Sequence, residues 1–223
     1  PHFTHRFLFI PGTIGSLTWL ATHRDAMPDI RHGLVLTGVG DPGAPTYKRC
    51  RAGDAGIDRA MEHVLKAGWS DYQVRDFSPF GYDERQFCSP GFDLPVGCLM
   101  RTPHGEYPQY HCSLDDLDFI KAEALEDSYK LCSSVLELLE KNRTYRNLFP
   151  HGEPQLGKRG LYQAMGQQSH DLQALQLSML WVLNQSDGNH DLLDIAIRSG
   201  IPFATIATAA GILHEHELLE AIA

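Results

Sequence analysis

The sequence contains no Cys-x-x-Cys pair, and its cysteines are odd in number. The five cysteines are Cys50, Cys88, Cys98, Cys112 and Cys132. An odd number without close pairs fits neither a disulfide framework nor a zinc ribbon. We therefore predict free thiols, as is typical of a reducing compartment such as the cytoplasm.

Long hydrophobic runs are also missing. The apolar stretch from Arg6 to Ile14 is too short and too interrupted to span a bilayer, and no signal segment opens the chain. We predict a cytoplasmic protein that does not enter a membrane. Because the chain begins at Pro1 without an initiator methionine, we expect the N-terminal part of a larger domain to be absent.

Basic residues are too few for a typical nucleic-acid-binding protein. Lys and Arg number 19 against 28 Asp and Glu, and the formal net charge of −9 repels a phosphate backbone. Nucleic acid is therefore not expected as a partner. The 223 residues, 43% of them hydrophobic, are enough to bury a core in one medium domain and one small domain.

Apolar segments alternate with segments of helical periodicity over the first two thirds of the chain. Strands are predicted at residues 7–10, 33–37, 72–77 and 96–100, and helices at residues 16–23, 54–67 and 117–140. This alternation predicts an α/β fold with a mostly parallel sheet flanked by helices. In such sheets, chemistry gathers beyond the carboxyl ends of the strands.

The C-terminal part has a different composition. We predict an α/β domain over residues 1–148, a linker over 149–171 and a winged-helix-like domain over 172–223. The last region is divided into short helices by Ser-Asp-Gly and Ser-Gly-Ile-Pro breaks, and residues 217–221 are expected to extend its third helix. Because this region is acidic, we expect it to serve packing or dimerisation, with a homo-oligomer as one outcome.

Two charged segments are candidates for the rim of an active site, namely Gly81–Phe87 and Tyr110–Asp115. The simplest interpretation of Asp83 and Glu84 is a solvated turn whose charges Arg85 partly cancels. In the functional interpretation, one acid orients a substrate amine or a metal ligand. Arg85 would then bind a substrate carboxylate through its planar guanidinium group.

The basic run from Tyr47 to Arg51 and the acid Asp41 are weaker candidates. Tyr47 and Arg49 are candidates for contact with an anionic part of a substrate, although runs of this kind are usually solvated turns. Asp41 is a candidate metal or substrate ligand. An aspartate before Pro-Gly is, however, first of all a turn former.

His111 is the candidate metal ligand with the best local support. A lone histidine is more often a core or surface residue than a ligand. Here Asp115 follows four residues later, with Ser113 between them, and a carboxylate or hydroxyl at this distance is able to hold the imidazole. Metal-bound histidines usually have such support.

Several of these segments together resemble a bacterial aminopeptidase-like family with a zinc-aminopeptidase fold and a winged helix. The resemblance is carried by residues 7–16, 47–49, 81–92, 110–113 and 152–157. We expect the chain to match only the C-terminal part of that family's domain. The resemblance implies that His111 is a zinc ligand, that Asp83 is an acid of the same site, and that Asp115 holds His111.

The sequence departs from the wider superfamily of zinc aminopeptidases and glutaminyl cyclases at the catalytic acid pair, and also near Thr37, where that superfamily has an Asp and the nearest carboxylate here is Asp41. That superfamily has a Glu-Glu pair before its Gly-x-x-Gly-Ser turn, whereas Ile10–Ser16 contains no acid here. The resemblance implies a zinc-dependent hydrolase of a small amino-acid-like, amide-bearing or peptide substrate, with Glu84 or Asp83 as base. The alternative is an inactive scaffold that binds a ligand or partner and uses the winged helix for interaction.

Overall fold

The computed structural model describes residues 2–161 and 170–222, and it contains two compact units. The first unit covers Pro1–Leu139 and the second covers Glu140–Ala223. The sequence placed the end of the α/β domain at residue 148, but Thr144–Asn147 pairs with strands of the second unit. Within the predicted linker, residues 162–169 lie outside the described residues.

A four-stranded sheet in the order β1-β4-β2-β3 forms the centre of the first unit. The elements are α1 (Ile14–Thr22), a 3-10 helix (Arg24–Asp29), β1 (Gly33–Leu36), β2 (Thr46–Lys48), α2 (Gly56–Gly68), β3 (Gln73–Arg75), α3 (Glu84–Phe87), β4 (Val96–Met100) and α4 (Ala122–Lys141). Strands β1 and β4 are parallel, as are β2 and β3, whereas β2 is antiparallel to β4. The predicted α/β fold with a mostly parallel sheet is confirmed.

The strand predictions succeed where the apolar run has a partner strand. All five residues of β4 are buried, as expected for a continuous apolar strand in the middle of a sheet. The predicted strand at residues 7–10 is wrong, because the segment is irregular and 96% of Phe9 is exposed. An apolar run forms a strand only where another strand accepts its hydrogen bonds, and none of the described strands pairs with it.

Two short helices are fixed beside the start of β4 by the core. Leu20 of α1 and Phe87 of α3 pack with Leu94 and Val96 in one buried cluster. On the other side, α2 buries an apolar stripe whose spacing follows the helical period. This packing brings the polar residues of α1 and α3 close to the sheet.

The second unit combines helices with a three-stranded antiparallel sheet in the order β6-β5-β7. Its elements are β5 (Thr144–Asn147), a 3-10 helix (Leu156–Arg159), α5 (His170–Gln185), β6 (Asp187–Asp191), α6 (Leu192–Ser199), α7 (Phe203–Glu215) and β7 (Leu219–Ile222). Asp191 caps α6 by accepting a hydrogen bond from the Asp194 backbone N–H at 2.8 Å.

One helix prediction in this unit is wrong. Residues 217–221 do not extend the third helix, because Leu219–Ile222 forms β7 and pairs with β5. Strand β5 itself lies before the predicted start of the domain, so the sequence interpretation missed the sheet. Among the helices that the structure describes, none has the length and apolar character needed to cross a membrane.

Candidate functional site

A buried ion pair lies between the sheet and α3. Glu84 is fully buried, and its Oε1 lies 2.7 Å from Nζ of Lys48, whose side chain is 7% exposed. Lys48 also donates to the Phe80 carbonyl oxygen at 2.6 Å, and the Tyr82 backbone N–H donates to the Glu84 carboxylate at 3.1 Å. Both charges are therefore compensated by short hydrogen bonds, as a buried ion pair requires.

Gly81 leaves the space that this pair occupies. A Cβ atom at Gly81 would lie 2.1 Å from Oε1 of Glu84 and 2.7 Å from Nζ of Lys48. Its φ of +154° also lies outside the range that other residues readily adopt. The glycine before Tyr82-Asp83-Glu84 is therefore needed to bring the acid and the base together.

Asp83 is held by a hydroxyl group from α1. It is 5% exposed, and its Oδ1 lies 2.5 Å from Oγ of Ser16, which is fully buried. Ser16 Oγ also lies 2.7 Å from the Thr13 carbonyl oxygen. The carboxylate of Asp83 thus connects the beginning of α3 to α1.

Next to this charged pair, His104 has a nitrogen atom to which none of the described residues bonds. Its Nε2 is buried and makes no hydrogen bond to any residue that the structure describes. Burial lowers the pKa of His104, and the charges of Glu84 and Lys48 also act on it in opposite directions. The rings of Tyr82 and Tyr110 flank it at centroid distances of 5.9 and 6.0 Å. We use the name His104 cluster for five residues: His104, Lys48, Glu84, Tyr82 and Tyr110.

The His104 cluster favours an uncharged ligand. Lys48 and Glu84 neutralise each other, and the lowered pKa keeps His104 neutral near pH 7. A neutral imidazole has one nitrogen that donates and one that accepts a hydrogen bond. Nε2 thus has a hydrogen-bonding capacity that the described residues do not use, and a carbonyl, amide or hydroxyl group has the chemistry to meet it.

The structure places His111 on the surface beside this cluster. His111 is exposed, has a φ of +57° and stacks on Tyr110 with a centroid distance of 4.0 Å. Its charge acts on the pKa of His104. Asp115 is also exposed, and within residues 2–161 and 170–222 no hydrogen bond joins its carboxylate to His111.

Asp41 has the role of a turn former. Its Oδ1 accepts from the Gly43 backbone N–H at 2.8 Å and from Oγ1 of Thr102 at 2.5 Å. The Thr102 backbone N–H donates to its Oδ2 at 3.1 Å. These bonds connect the loop after β1 to the end of β4, and each oxygen of Asp41 accepts at least one of them.

Tyr47 and Arg49 are also engaged within the protein. Tyr47 is fully buried, its hydroxyl donates to Asp58 at 2.6 Å, and burial together with Asp58 raises its pKa. Arg49 binds Glu62 at 2.6 Å and Asp76 at 2.5 Å. Tyr47 therefore has no exposed atom to offer a substrate, and the two carboxylates bound to Arg49 outweigh its single positive charge.

Arg85 differs from these two residues. Its Nε is buried and has no hydrogen-bond partner in the described part of the chain. It lies on α3, directly after Glu84. Arg85 thus remains a candidate for contact with a ligand.

The described residues do not by themselves form a metal site. Within residues 2–161 and 170–222, no three His, Cys, Asp or Glu side chains are placed to hold one ion. Of the predicted ligands, Asp41 and Asp83 accept internal hydrogen bonds, and His111 is exposed without an acidic partner at its ring. The fit to zinc is therefore incomplete.

Sequence reasoning missed four residues of this region: Ser16, Lys48, Cys98 and His104. Lys48 was assigned to a basic turn, although the alternation of Tyr47 and Lys48 across a short strand was a usable signal. Cys98 is fully buried in β4, and its pKa is raised by burial and by Glu84. No local pattern singles out His104, which lies in an irregular loop.

Comparison with known proteins supports the α/β fold of the first unit and the winged-helix fold of the second. Residues 1–142 match the family described as "Domain of unknown function (DUF4910)", and residues 143–221 match a winged helix-turn-helix family. A Clostridium acetobutylicum protein is 50% identical over 99% of this chain and 50% of its own length. Its name is "Putative polysaccharide biosynthesis protein with aminopeptidase-like domain".

A solved structure agrees with this match. A Clostridium acetobutylicum crystal structure described as a "putative peptidase" aligns with a TM-score of 0.84 and 48% identity. It covers 95% of this chain and 47% of that chain.

The similarity is not confined to the C-terminal part of this chain, because it extends over nearly all of it, while the chain spans about half the length of these relatives. The family model covers well over half of the residues. The chain therefore belongs to the DUF4910 family, with an aminopeptidase-like α/β unit followed by a winged helix-turn-helix unit.

Proposed function

We propose that the α/β unit binds a small, uncharged, amide-bearing molecule at the His104 cluster and does not itself supply the base for hydrolysis. The observation that carries this proposal is the buried Nε2 of His104, which makes no hydrogen bond to the described residues. A buried polar atom without a partner costs free energy, on the order of 1–3 kcal/mol. A ligand that bonds to it recovers part of that cost.

The surroundings of His104 define the ligand chemistry. The paired charges of Lys48 and Glu84 give no net attraction for an ion. The tilted rings of Tyr82 and Tyr110 provide apolar surface near the imidazole. An amide is planar, uncharged and hydrogen-bonding, and its chemistry matches that of these groups.

The state of the acids favours binding over hydrolysis by these residues. A general base must reach the proton that it removes, at about 2.6–3.2 Å. Glu84 is fully buried in its bond to Lys48, and Asp83 is bonded to Ser16. The turn at Ile10–Ser16 also lacks the acid pair of the zinc aminopeptidases.

The relative's name suggests a biological setting. The relative is named for polysaccharide biosynthesis. N-acylated amino sugars carry an amide on an uncharged ring. We extend this setting to the present chain as part of the proposal. The expected ligand is thus an N-acylated sugar or a comparable small amide.

The experiment is a calorimetric titration of the full-length protein with N-acetylglucosamine, glucose and acetamide. We expect N-acetylglucosamine to bind more tightly than glucose, and His104→Gln to weaken that binding about tenfold, as expected for the loss of one ligand hydrogen bond. His151→Gln, at an exposed histidine, is the control. Equal binding of the two sugars, or an unchanged affinity in His104→Gln, would contradict the proposal.

Zinc-dependent hydrolysis of an amide-bearing substrate is the second candidate. It is favoured by the match of His111 and Asp83 to the superfamily pattern, in a chain with an aminopeptidase-like relative. Zinc would polarise the substrate carbonyl and activate water. The described residues do not complete a zinc site, so we assign no step to the metal.

Metal analysis separates the two candidates. Stoichiometric zinc in the full-length protein, lost in His111→Ala together with the hydrolysis of an amide substrate, would establish the hydrolase. Cys112→Ala, at the exposed neighbouring residue, is the matched control. Ligand binding without zinc or turnover would support the binding unit.

We infer that the winged helix-turn-helix unit is an interaction module that does not bind nucleic acid. Helix α7 contains no Lys or Arg. Most protein contacts to nucleic acid go to the phosphate backbone, and basic side chains provide many of them. Retention of the protein on duplex DNA at physiological salt would refute this inference.

A further inference from the structure

The first unit contains a second polar site that the His104 cluster does not use. A shallow cavity of about 560 Å³, widely open to solvent, lies where the loop after β1 meets the end of β4 and helix α4. Its lining includes Trp69, Arg101, Asp127 and Lys130. Pockets of this volume are of a size that holds a small ligand.

Arg101 forms the fixed part of this cavity. It is 8% exposed, its Nε donates to the Gly43 carbonyl oxygen at 2.6 Å, and its Nη1 lies 2.8 Å from Oδ2 of Asp127. Nη1 also donates to the Ala124 carbonyl oxygen at 3.2 Å. In the described part of the chain, no hydrogen bond uses Nη2, so its two N–H groups remain for a ligand.

Asp127 does not compete with a ligand for the two N–H groups of Arg101 Nη2. Its Oδ2 accepts from Arg101, and its Oδ1 accepts from the indole Nε1 of Trp69 at 2.9 Å. Each oxygen thus already has a donor. The same contact places the Trp69 ring, which is half-buried, in the wall of the cavity.

The rim of the cavity carries one further charge of each sign. Lys130 is largely exposed and pairs with Glu126, four residues earlier on α4, at 2.6 Å. A surface pair of this kind is weak, so Lys130 is free to turn toward a ligand. Asp71 is exposed and opposes an anion at the rim.

We propose that this cavity binds a small organic anion, whose carboxylate or phosphate accepts hydrogen bonds from Nη2 of Arg101 while its apolar part contacts Trp69. The planar guanidinium group suits both oxyanions. Pro42 and Pro45 supply further apolar surface in the lining. This site is separate from the His104 cluster, and the proposal does not depend on the function proposed for that cluster.

The test uses the full-length protein and four probes. These are phenyl phosphate and phenylacetate, benzyl alcohol as the uncharged analogue, and inorganic phosphate as the anion without an apolar part. The indole N–H resonance of Trp69, assigned with a Trp69→Phe variant, reports on the cavity because this N–H is bonded to Asp127. We expect dissociation constants on the order of 1 mM for the better aromatic anion, as is ordinary for ligands of this size.

The two rim variants should change the affinity in opposite directions, and the variant at the base should weaken it most. Lys130→Gln should weaken the binding of the aromatic anions about threefold, and Asp71→Asn should strengthen it by a similar factor, as expected for exposed charges. Arg101→Lys should weaken binding at least tenfold, because the planar pair of donors is lost. Lys66→Gln, on the exposed surface of α2, should leave the affinity unchanged.

The outcomes decide the proposal even if Arg101→Lys fails to fold, because the rim variants are surface substitutions. Benzyl alcohol binding as tightly as the anions would overturn it, as would unchanged affinities in both rim variants. Inorganic phosphate matching phenyl phosphate would refute the contact with Trp69. The stronger of the two aromatic anions identifies whether the cavity prefers a phosphate or a carboxylate.

Discussion

The two faces of strand β2 lead to two buried acids with different surroundings. On one face Tyr47 donates to Asp58, which also accepts from the backbone N–H groups of Cys50 and Ala55. On the other face Lys48 binds Glu84. The Asp58 side is closed by donors from the protein itself, whereas the Glu84 side adjoins a histidine nitrogen without a described partner.

This difference indicates where a ligand belongs. Asp58 lies in the first turn of a thirteen-residue helix, and the four donors that bond to it come from β2, the following loop and the start of that helix. Glu84 begins a helix of only four residues, beside loops that carry His104 and Tyr82. A saturated acid stabilises the fold, while an incompletely satisfied polar cluster is available for binding.

We call the side of β2 that carries Lys48 and Glu84 the open face. The largest expected effect comes from breaking the Lys48–Glu84 ion pair on this face. Glu84→Ala leaves Lys48 buried without its counter-charge, and we expect the free energy of unfolding to fall by about 3–5 kcal/mol. Chemical denaturation measures this loss. Glu62→Ala, which removes one of two partners from the partly exposed Arg49, should cost about 1 kcal/mol or less.

A double variant separates lost packing from the unpaired charge. If the unpaired charge causes the loss, Lys48→Met combined with Glu84→Leu should recover most of the stability, because no charge then remains buried. A double variant as unstable as Glu84→Ala alone would contradict this explanation. It would show that packing around Glu84 dominates.

We call the side of β2 that carries Tyr47 and Asp58 the closed face. A substitution there should lower the free energy of unfolding less. Tyr47→Phe removes one of four donors from Asp58 and keeps the ring, so we expect a loss of about 1–3 kcal/mol. Tyr129→Phe is the control, since 73% of Tyr129 is exposed and little change is expected. Ligand binding at the His104 cluster should be unchanged in Tyr47→Phe, and a large loss of binding would mean that the two faces are coupled.

The sequence predicted the helices and strands around these two acids better than the partners of their side chains. The spacing of apolar residues predicted α2 and β4, because a helix with one buried face and a buried central strand each have a recognisable local pattern of apolar residues. Asp83 and Glu84 were recognised as candidates from their position near a strand. Their partners were not, since Lys48 and Glu84 are 36 residues apart and Ser16 and Asp83 are 67 apart.

Burial also decided roles that composition left open. Tyr47 and Asp41 have the residue types of a binding site, yet one lies in the core and the other holds a turn. His104 had no local signal at all. Whether a polar residue is satisfied depends on the three-dimensional neighbours, and these follow from packing that no short motif specifies.

The smallest expected effect is the pH dependence that His104 gives to the open face. Burial lowers the pKa of this group in the folded protein below its value of 6.5 in the unfolded chain. Below about pH 6.5 the unfolded chain therefore binds the proton more readily, and stability falls as the pH decreases; above it the contribution is constant. Denaturation at pH 7.5 and 5.5 should show a smaller decrease in His104→Gln than in the parent protein. N-acetylglucosamine bound to the neutral imidazole should shift this loss of stability to lower pH. If neither the substitution nor the ligand changes the loss, another group causes it. His63, whose pKa burial also lowers, would then be the next candidate.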